Sequence, residues 1–166
     1  MWPGALPDDM GDEDPEHDVD FRENPEAYEI GRGEAGAFKV QPYKDELLPD
    51  WSFKNESAAV ESVETLREAY ETYRAREDFV GMDMVRKYLR MGFTRAMRYA
   101  KYPGGQKYAD DGSERDPQQW ADAEKRAAAV VFRDAWQALT DDPAYQRLKE
   151  RHQEEVYDPD ASPMAD

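Results

Sequence analysis

The chain reads as a mainly α domain of the α+β kind, with about four amphipathic helices behind a small N-terminal cap that is irregular or a β-hairpin. Three observations predict this. Beyond Asn55, four successive segments carry apolar residues at three- and four-residue spacing. Each segment opens on a capping signal: Asn55, Asp78, Asp116 before Pro117, and Asp142 before Pro143. Phe21 to Lys54, by contrast, breaks at Gly or Pro every few residues and holds its apolar residues in short runs.

Met1 to Asp20 holds eight acids, three prolines and no Lys or Arg, and Asp158 to Asp166 is a short Pro/Asp tail. Neither has apolar periodicity, so both are expected to be disordered acidic tails around a single domain at 21–157. In the cap, Ala27 to Ile30, Ala37 to Val40 and Trp51 to Phe53 are strand-length and predict two or three short strands. Between the first two lies Gly31-Arg32-Gly33-Glu34-Ala35-Gly36, formally GxGxxG. A dinucleotide site needs that motif between a strand and a helix, because the helix N-terminus holds the pyrophosphate. Here the strand-like Ala37-Phe38-Lys39-Val40 follows. The glycine-rich loop of protein kinases does join two strands, but no HRD or DFG segment accompanies it here. Two readings stay open: a hairpin turn needing positive φ, or a phosphate cradle to which Arg32 adds charge.

Lys44 to Leu48 predicts a helical turn stopped by Pro49, with Trp51 and Phe53 facing the core. The first long helix runs from Asn55 to about Ala75, with Val60, Val63, Leu66, Tyr70 and Tyr73 in one stripe and glutamates outside. The central helix spans Phe79 to Lys101. At roughly 100° per residue, Val85, Tyr88, Leu89, Gly92, Ala96, Tyr99 and Ala100 gather on one side. Lys87, Arg90, Arg98 and Lys101 gather on the other as a basic ridge, flanked by Arg86 and Arg95. Glycine in mid-helix costs about 1 kcal/mol against Ala, so Gly92 marks a close approach by a neighbour. Pro103-Gly104-Gly105 ends this helix, and an exposed loop covers Gln106 to Arg115. The next helix is expected from Pro117 to about Leu139 through Trp120, Ala123, Ala127, Val131, Ala135 and Trp136. The last carries Tyr145, Leu148, His152 and Val156 on one face.

Charge is distributed unevenly. The chain has 38 acids, 22 bases and a net charge of −16, yet Phe79 to Tyr108 holds seven Lys/Arg against the single acid Asp83. An acidic surface repels itself at low ionic strength and is tolerable where salt screens it, the Debye length being about 3 Å at 1 M. The acid surplus reads as the protein of a salt-in halophile's cytoplasm; a competing reading is an acidic mimic of nucleic acid or binder of basic partners. No cysteine is present, which excludes disulfides, zinc-thiolate sites and a thiol nucleophile. There is no signal-like N-terminus and no run near the ~18 apolar residues of a membrane span, so a cytoplasmic protein with no membrane partner is expected.

The runs IGRGE, PYK, DFVGMDM and MGFTRA, with Lys107-Tyr108 after them, resemble a family described as a domain of unknown function, found in halophilic archaea, bacteria and bacteriophages. The resemblance is strongest over Phe21 to Tyr108. It implies that the Gly31 to Glu34 loop and the basic helix belong together. Ala35 and Ala37-Phe38 depart from the Gln and aliphatic residues of the family's pattern, which puts a side-chain role at Ala35 in doubt but not the turn. No activity follows from it.

For catalysis the inventory is thin. His17 falls in the acidic tail, His152 on an apolar stripe, and with 38 acids no carboxylate pair is diagnostic. Asp83 stands out among cations, where an i, i+3 pair with Arg86 or an i, i+4 pair with Lys87 is the simplest role. Binding is better supplied. Arg86, Lys87, Arg90, Arg95 and Arg98 with Tyr99 combine phosphate-seeking cations and a stackable ring, and Gly31, Arg32, Gly33 and Glu34 could add a loop. The competing reading pairs these cations with the protein's own acids. The expectation is an accessory protein that binds nucleic acid or a nucleotide, with no metal; any cofactor is unknown and none is predicted. The alternatives are a protein-interaction module or homodimer built on the aromatic cap and, third, an enzyme on a phosphorylated substrate with Glu34 or Asp83 as acid/base.

Overall fold

The computed structural model describes residues 19–30, 37–117 and 122–156. The expected acidic tails, apart from Val19 and Asp20, the whole Gly31 to Gly36 loop and Trp120 lie outside the described residues. Within them the chain forms α1 (Tyr43–Leu47), α2 (Glu56–Ala75), α3 (Phe79–Lys101), α4 (Ala123–Thr140) and α5 (Pro143–Val156).

The cap departs from expectation. Among the described residues there is no strand, only one parallel bridge, Asp20 with Gln41, and one antiparallel bridge, Tyr108 with Glu114. The expected β-hairpin is replaced by single turns of 3-10 helix at Pro25–Ala27, Ala37–Lys39 and Leu48–Asp50. Two of these turns have proline near their start, where its fixed φ suits a turn and its missing N–H is not needed. Phe21, Tyr28, Ala37, Val40, Tyr43 and Leu47 enter the helical core one side chain at a time, so no sheet face is needed to bury them.

The long helices follow their caps with one exception. Asn55 accepts from the Ala58 N–H at 2.8 Å, Asp78 from Gly81 at 3.1 Å, and Asp142 from Ala144 at 3.0 Å. The exception is α4: Asp116 and Pro117 are not helical, and Asp122 caps instead, accepting from Lys125 at 3.1 Å. The Asp122 N–H also reaches the Ala100 carbonyl at 3.4 Å, tying this start to the end of α3. The buried face of α4 is Ala128, Ala129, Phe132 and Leu139, while Val131, Ala135 and Trp136 lie on its half-buried flank. On α2, Val60 is 39% exposed, and Ala59 and Ser62 turn inward, Ser62 accepting from the Ser52 N–H at 3.2 Å.

α3 is the axis of the molecule. It packs most extensively on α4, and also on α2, α5, α1 and the cap. A Cβ on Gly92 would lie 2.5 Å from a ring carbon of Phe132, so this glycine is what lets α4 seat against α3. Its first half is buried all round, with Phe79 to Val85 and Lys87 to Leu89 all inside. The two-faced helix that the spacing predicts therefore holds only toward the C-terminal end.

Candidate functional site

The candidate residues on α3 fall into two environments. In the first half, Asp83 is fully buried and accepts four hydrogen bonds. Arg86 one turn on gives Nε at 2.5 Å and Nη2 at 3.2 Å. The Tyr145 hydroxyl from α5 donates at 2.7 Å, and the Tyr28 hydroxyl from the cap donates to the other carboxylate oxygen. Burial pushes the Asp83 carboxyl up, but the Arg86 guanidinium and the two hydroxyls outweigh it and hold Asp83 below the usual carboxylate range. The tyrosines respond oppositely: burial and the Asp83 charge raise Tyr28 well above a normal phenol and raise Tyr145 too. Lys87, 5% exposed, sits over the Tyr28 ring at 5.6 Å, and Arg90 over Trp136 of α4 at 5.8 Å. His152 closes the cluster, its Nε2 donating to the Tyr28 carbonyl at 2.7 Å and its ring 5.0 Å from Phe79.

The second half is built differently. Arg95 lies 5.5 Å from the centroids of both Phe38 and Trp51. Arg98 is exposed and donates from Nε to the Gly105 carbonyl at 2.7 Å, in the turn that follows the helix. Tyr99 is 38% exposed, with Phe53 at 6.2 Å and Lys125 of α4 5.1 Å above its ring. Lys125 also covers Phe53 at 5.0 Å and donates to its carbonyl at 3.2 Å. Phe38, Trp51, Phe53 and Tyr99 thus make a continuous aromatic row with a cation over each end.

The structure therefore brings Arg95, Arg98 and Tyr99 together on one shelf and places Arg86, Lys87 and Arg90 in a packed cluster beneath the cap and α4. Gly31, Arg32, Gly33 and Glu34 lie outside the described residues. Lys125, Trp51 and Phe53 belong to the shelf and were not singled out as site residues; nothing in the sequence marks a lysine in the first turn of another helix as a partner of Tyr99. Among the described residues, no group of three or more His, Asp or Glu is placed to hold a metal ion. No described helix is long and apolar enough to cross a membrane.

A family model matches residues 12–155, and its description is a domain of unknown function, DUF4385. The chain belongs to the DUF4385 family. No curated protein and no solved structure matches it. The DUF4385 match spans both environments of α3 and every described helix except the last residue of α5.

Proposed function

We propose that the shelf on the second half of α3 binds a phosphate-bearing ligand, nucleic acid or a nucleotide, with Tyr99 as the stacking surface and Arg95, Arg98 and Lys125 as the cations. The observation that carries this reading is Tyr99, a ring left 38% exposed while packed on Phe53 and topped by Lys125. Rings with cations at their edges stack bases and neutralise phosphate together. Arg86 and Lys87 act as support: both are turned into the protein, and their contribution is to hold the helix that presents the shelf. The acid surplus fits a cytoplasm at molar salt. Loose phosphate tethering weakens steeply there through counterion release, and an arginine already anchored, as Arg98 is on Gly105, loses less freedom on binding.

The test is the double variant Arg95→Ala/Arg98→Ala, compared with the parent chain in fluorescence polarisation with a single-stranded oligonucleotide and with adenosine triphosphate. Affinity is expected to fall by roughly tenfold or more, the loss of two charge-assisted contacts. Unchanged binding, or no binding by the parent, overturns the reading and turns attention to protein partners. The habitat reading has its own check: the melting temperature is expected to climb from low to molar KCl, and a flat profile refutes it.

A further inference from the structure

The aromatic row beside α3 repeats one arrangement twice. At one end, Arg95 lies 5.5 Å from the ring centroids of both Phe38 and Trp51, which neighbour each other at 6.0 Å. At the other, Lys125 lies 5.0 Å from Phe53 and 5.1 Å from Tyr99, which neighbour each other at 6.2 Å. Each unit is a pair of rings sharing one cation. The units join where Trp51 and Phe53 meet, with centroids 5.4 Å apart. Tyr99 is 38% exposed and Phe38, Trp51 and Phe53 are half-buried, so every ring of the row keeps part of its surface open to solvent.

The row is fixed before any ligand arrives. Trp51 donates from Nε1 to the Tyr88 carbonyl at 2.9 Å, and the buried Tyr88 ring meets Phe38 and Trp51 edge-on at 5.8 and 5.7 Å. Lys125 is tied to the Phe53 carbonyl at 3.2 Å. Little further ordering is needed to use such rings, which favours binding.

Two units call for a ligand with two bases. One base with its phosphate engages one ring pair and one cation, and a mononucleotide leaves the other unit unused. Successive rings lie 5.4 to 6.2 Å apart, wider than the roughly 3.4 Å per nucleotide of a stacked duplex strand, so a ligand reaching both units holds its bases splayed. A single strand does this; a duplex keeps its bases paired and stacked on one another.

We infer that the shelf takes a single-stranded nucleic acid of at least two nucleotides. One base lies against Tyr99 and Phe53 with its phosphate at Lys125, and the next against Trp51 and Phe38 with its phosphate at Arg95. This rests on the phosphate-ligand reading of the shelf and narrows it from nucleic acid or nucleotide to the single strand.

The experiment is isothermal titration of the full chain at one fixed KCl concentration, since affinity for such ligands depends on salt. Four probes are compared: thymidine monophosphate, the dinucleotide pTpT, the same dinucleotide with its second base replaced by an abasic site, and an eight-base-pair duplex. The dinucleotide is expected to bind roughly tenfold or more tighter than the monophosphate, and the abasic probe to lose that gain, because it keeps the charge and lacks only the second stacking base. The duplex is expected to bind more weakly than the dinucleotide. In Phe38→Leu, which keeps an apolar side chain and removes a ring, the ratio of dinucleotide to monophosphate affinity is expected to shrink towards one; the abasic probe asks the same question of the unaltered chain. Monophosphate binding as tightly as the dinucleotide overturns the inference and leaves a nucleotide site standing. Equal binding of the abasic probe, or of the duplex, also overturns it. If no probe binds, the phosphate-ligand reading falls and this inference with it.

Discussion

The two halves of α3 carry the same residue types and use them for different ends. From Phe79 to Met91 the cations are buried or half-buried: Arg86 binds Asp83, Lys87 covers Tyr28 and Arg90 covers Trp136. From Gly92 to Lys101 the helix reaches the surface, where Arg98 and Tyr99 are exposed. The difference is set by what lies opposite. The first half meets Tyr28 of the cap, Trp136 of α4 and Tyr145 of α5, while Arg98, Tyr99 and Lys101 are exposed. A buried cation needs a fixed carboxylate or ring, and an exposed one retains water and is available to a ligand. Within one helix, then, sign of charge alone does not tell a packed cation from an exposed one.

The sharpest way to break this contrast is to remove its buried anion. Asp83→Ala leaves the Arg86 charge and two hydroxyls without their acceptor, a change that costs on the order of 3–5 kcal/mol in urea unfolding. Asp83→Leu/Arg86→Leu is expected to cost less than either single change, because no uncompensated charge remains. At the boundary between the halves, Gly92→Ala pushes a methyl into the Phe132 ring and is expected to destabilise by about 1–3 kcal/mol, with α3 and α4 forced apart. The smallest effect sharpens the comparison: Arg98→Ala removes an exposed contact and is expected to cost less than ~1 kcal/mol of stability. If Arg98→Ala proves as destabilising as Asp83→Ala, the division of the helix fails.

Acid provides an independent check. Asp83, Glu46 and Asp142 are each held below the ordinary carboxylate range. At Asp83 and Asp142 the partners overcome burial; at Glu46 the Arg22 hydrogen bond is the largest cause. Because these folded values lie below the unfolded ones, their stabilisation is complete above pH ~4 and is lost as pH falls further. Denaturant midpoints should therefore be level near neutrality and decline below pH ~4, and Asp83→Asn should flatten that decline.

Much of the helical plan was legible in the sequence. The caps Asn55, Asp78 and Asp142 and the close approach at Gly92 are local signals, each readable within four residues. The cap was misjudged because strand-length apolar runs have the same composition as aromatic residues that insert singly between helices. Phe132 and Leu139 were missed as core, since the expected stripe on α4 ran through the neighbouring flank. On α3 a helical wheel assigns one inside and one outside, and Lys87 falls on the outer ridge with Arg86 on its flank because nothing nearby shows that a second layer covers them.

What the sequence determined by itself is the set of α2, α3 and α5 with their caps, the acid surplus, and the basic island as the place to look. These depend on contacts three or four residues apart or on composition alone. Only the tertiary structure decided which cations are spent and which are presented. Tyr28, Asp83 and Tyr145 meet across 55 and 62 residues of chain, and Lys125 reaches Tyr99 from another helix. Whether a charge is paired or offered depends on such distant partners and on the water they exclude.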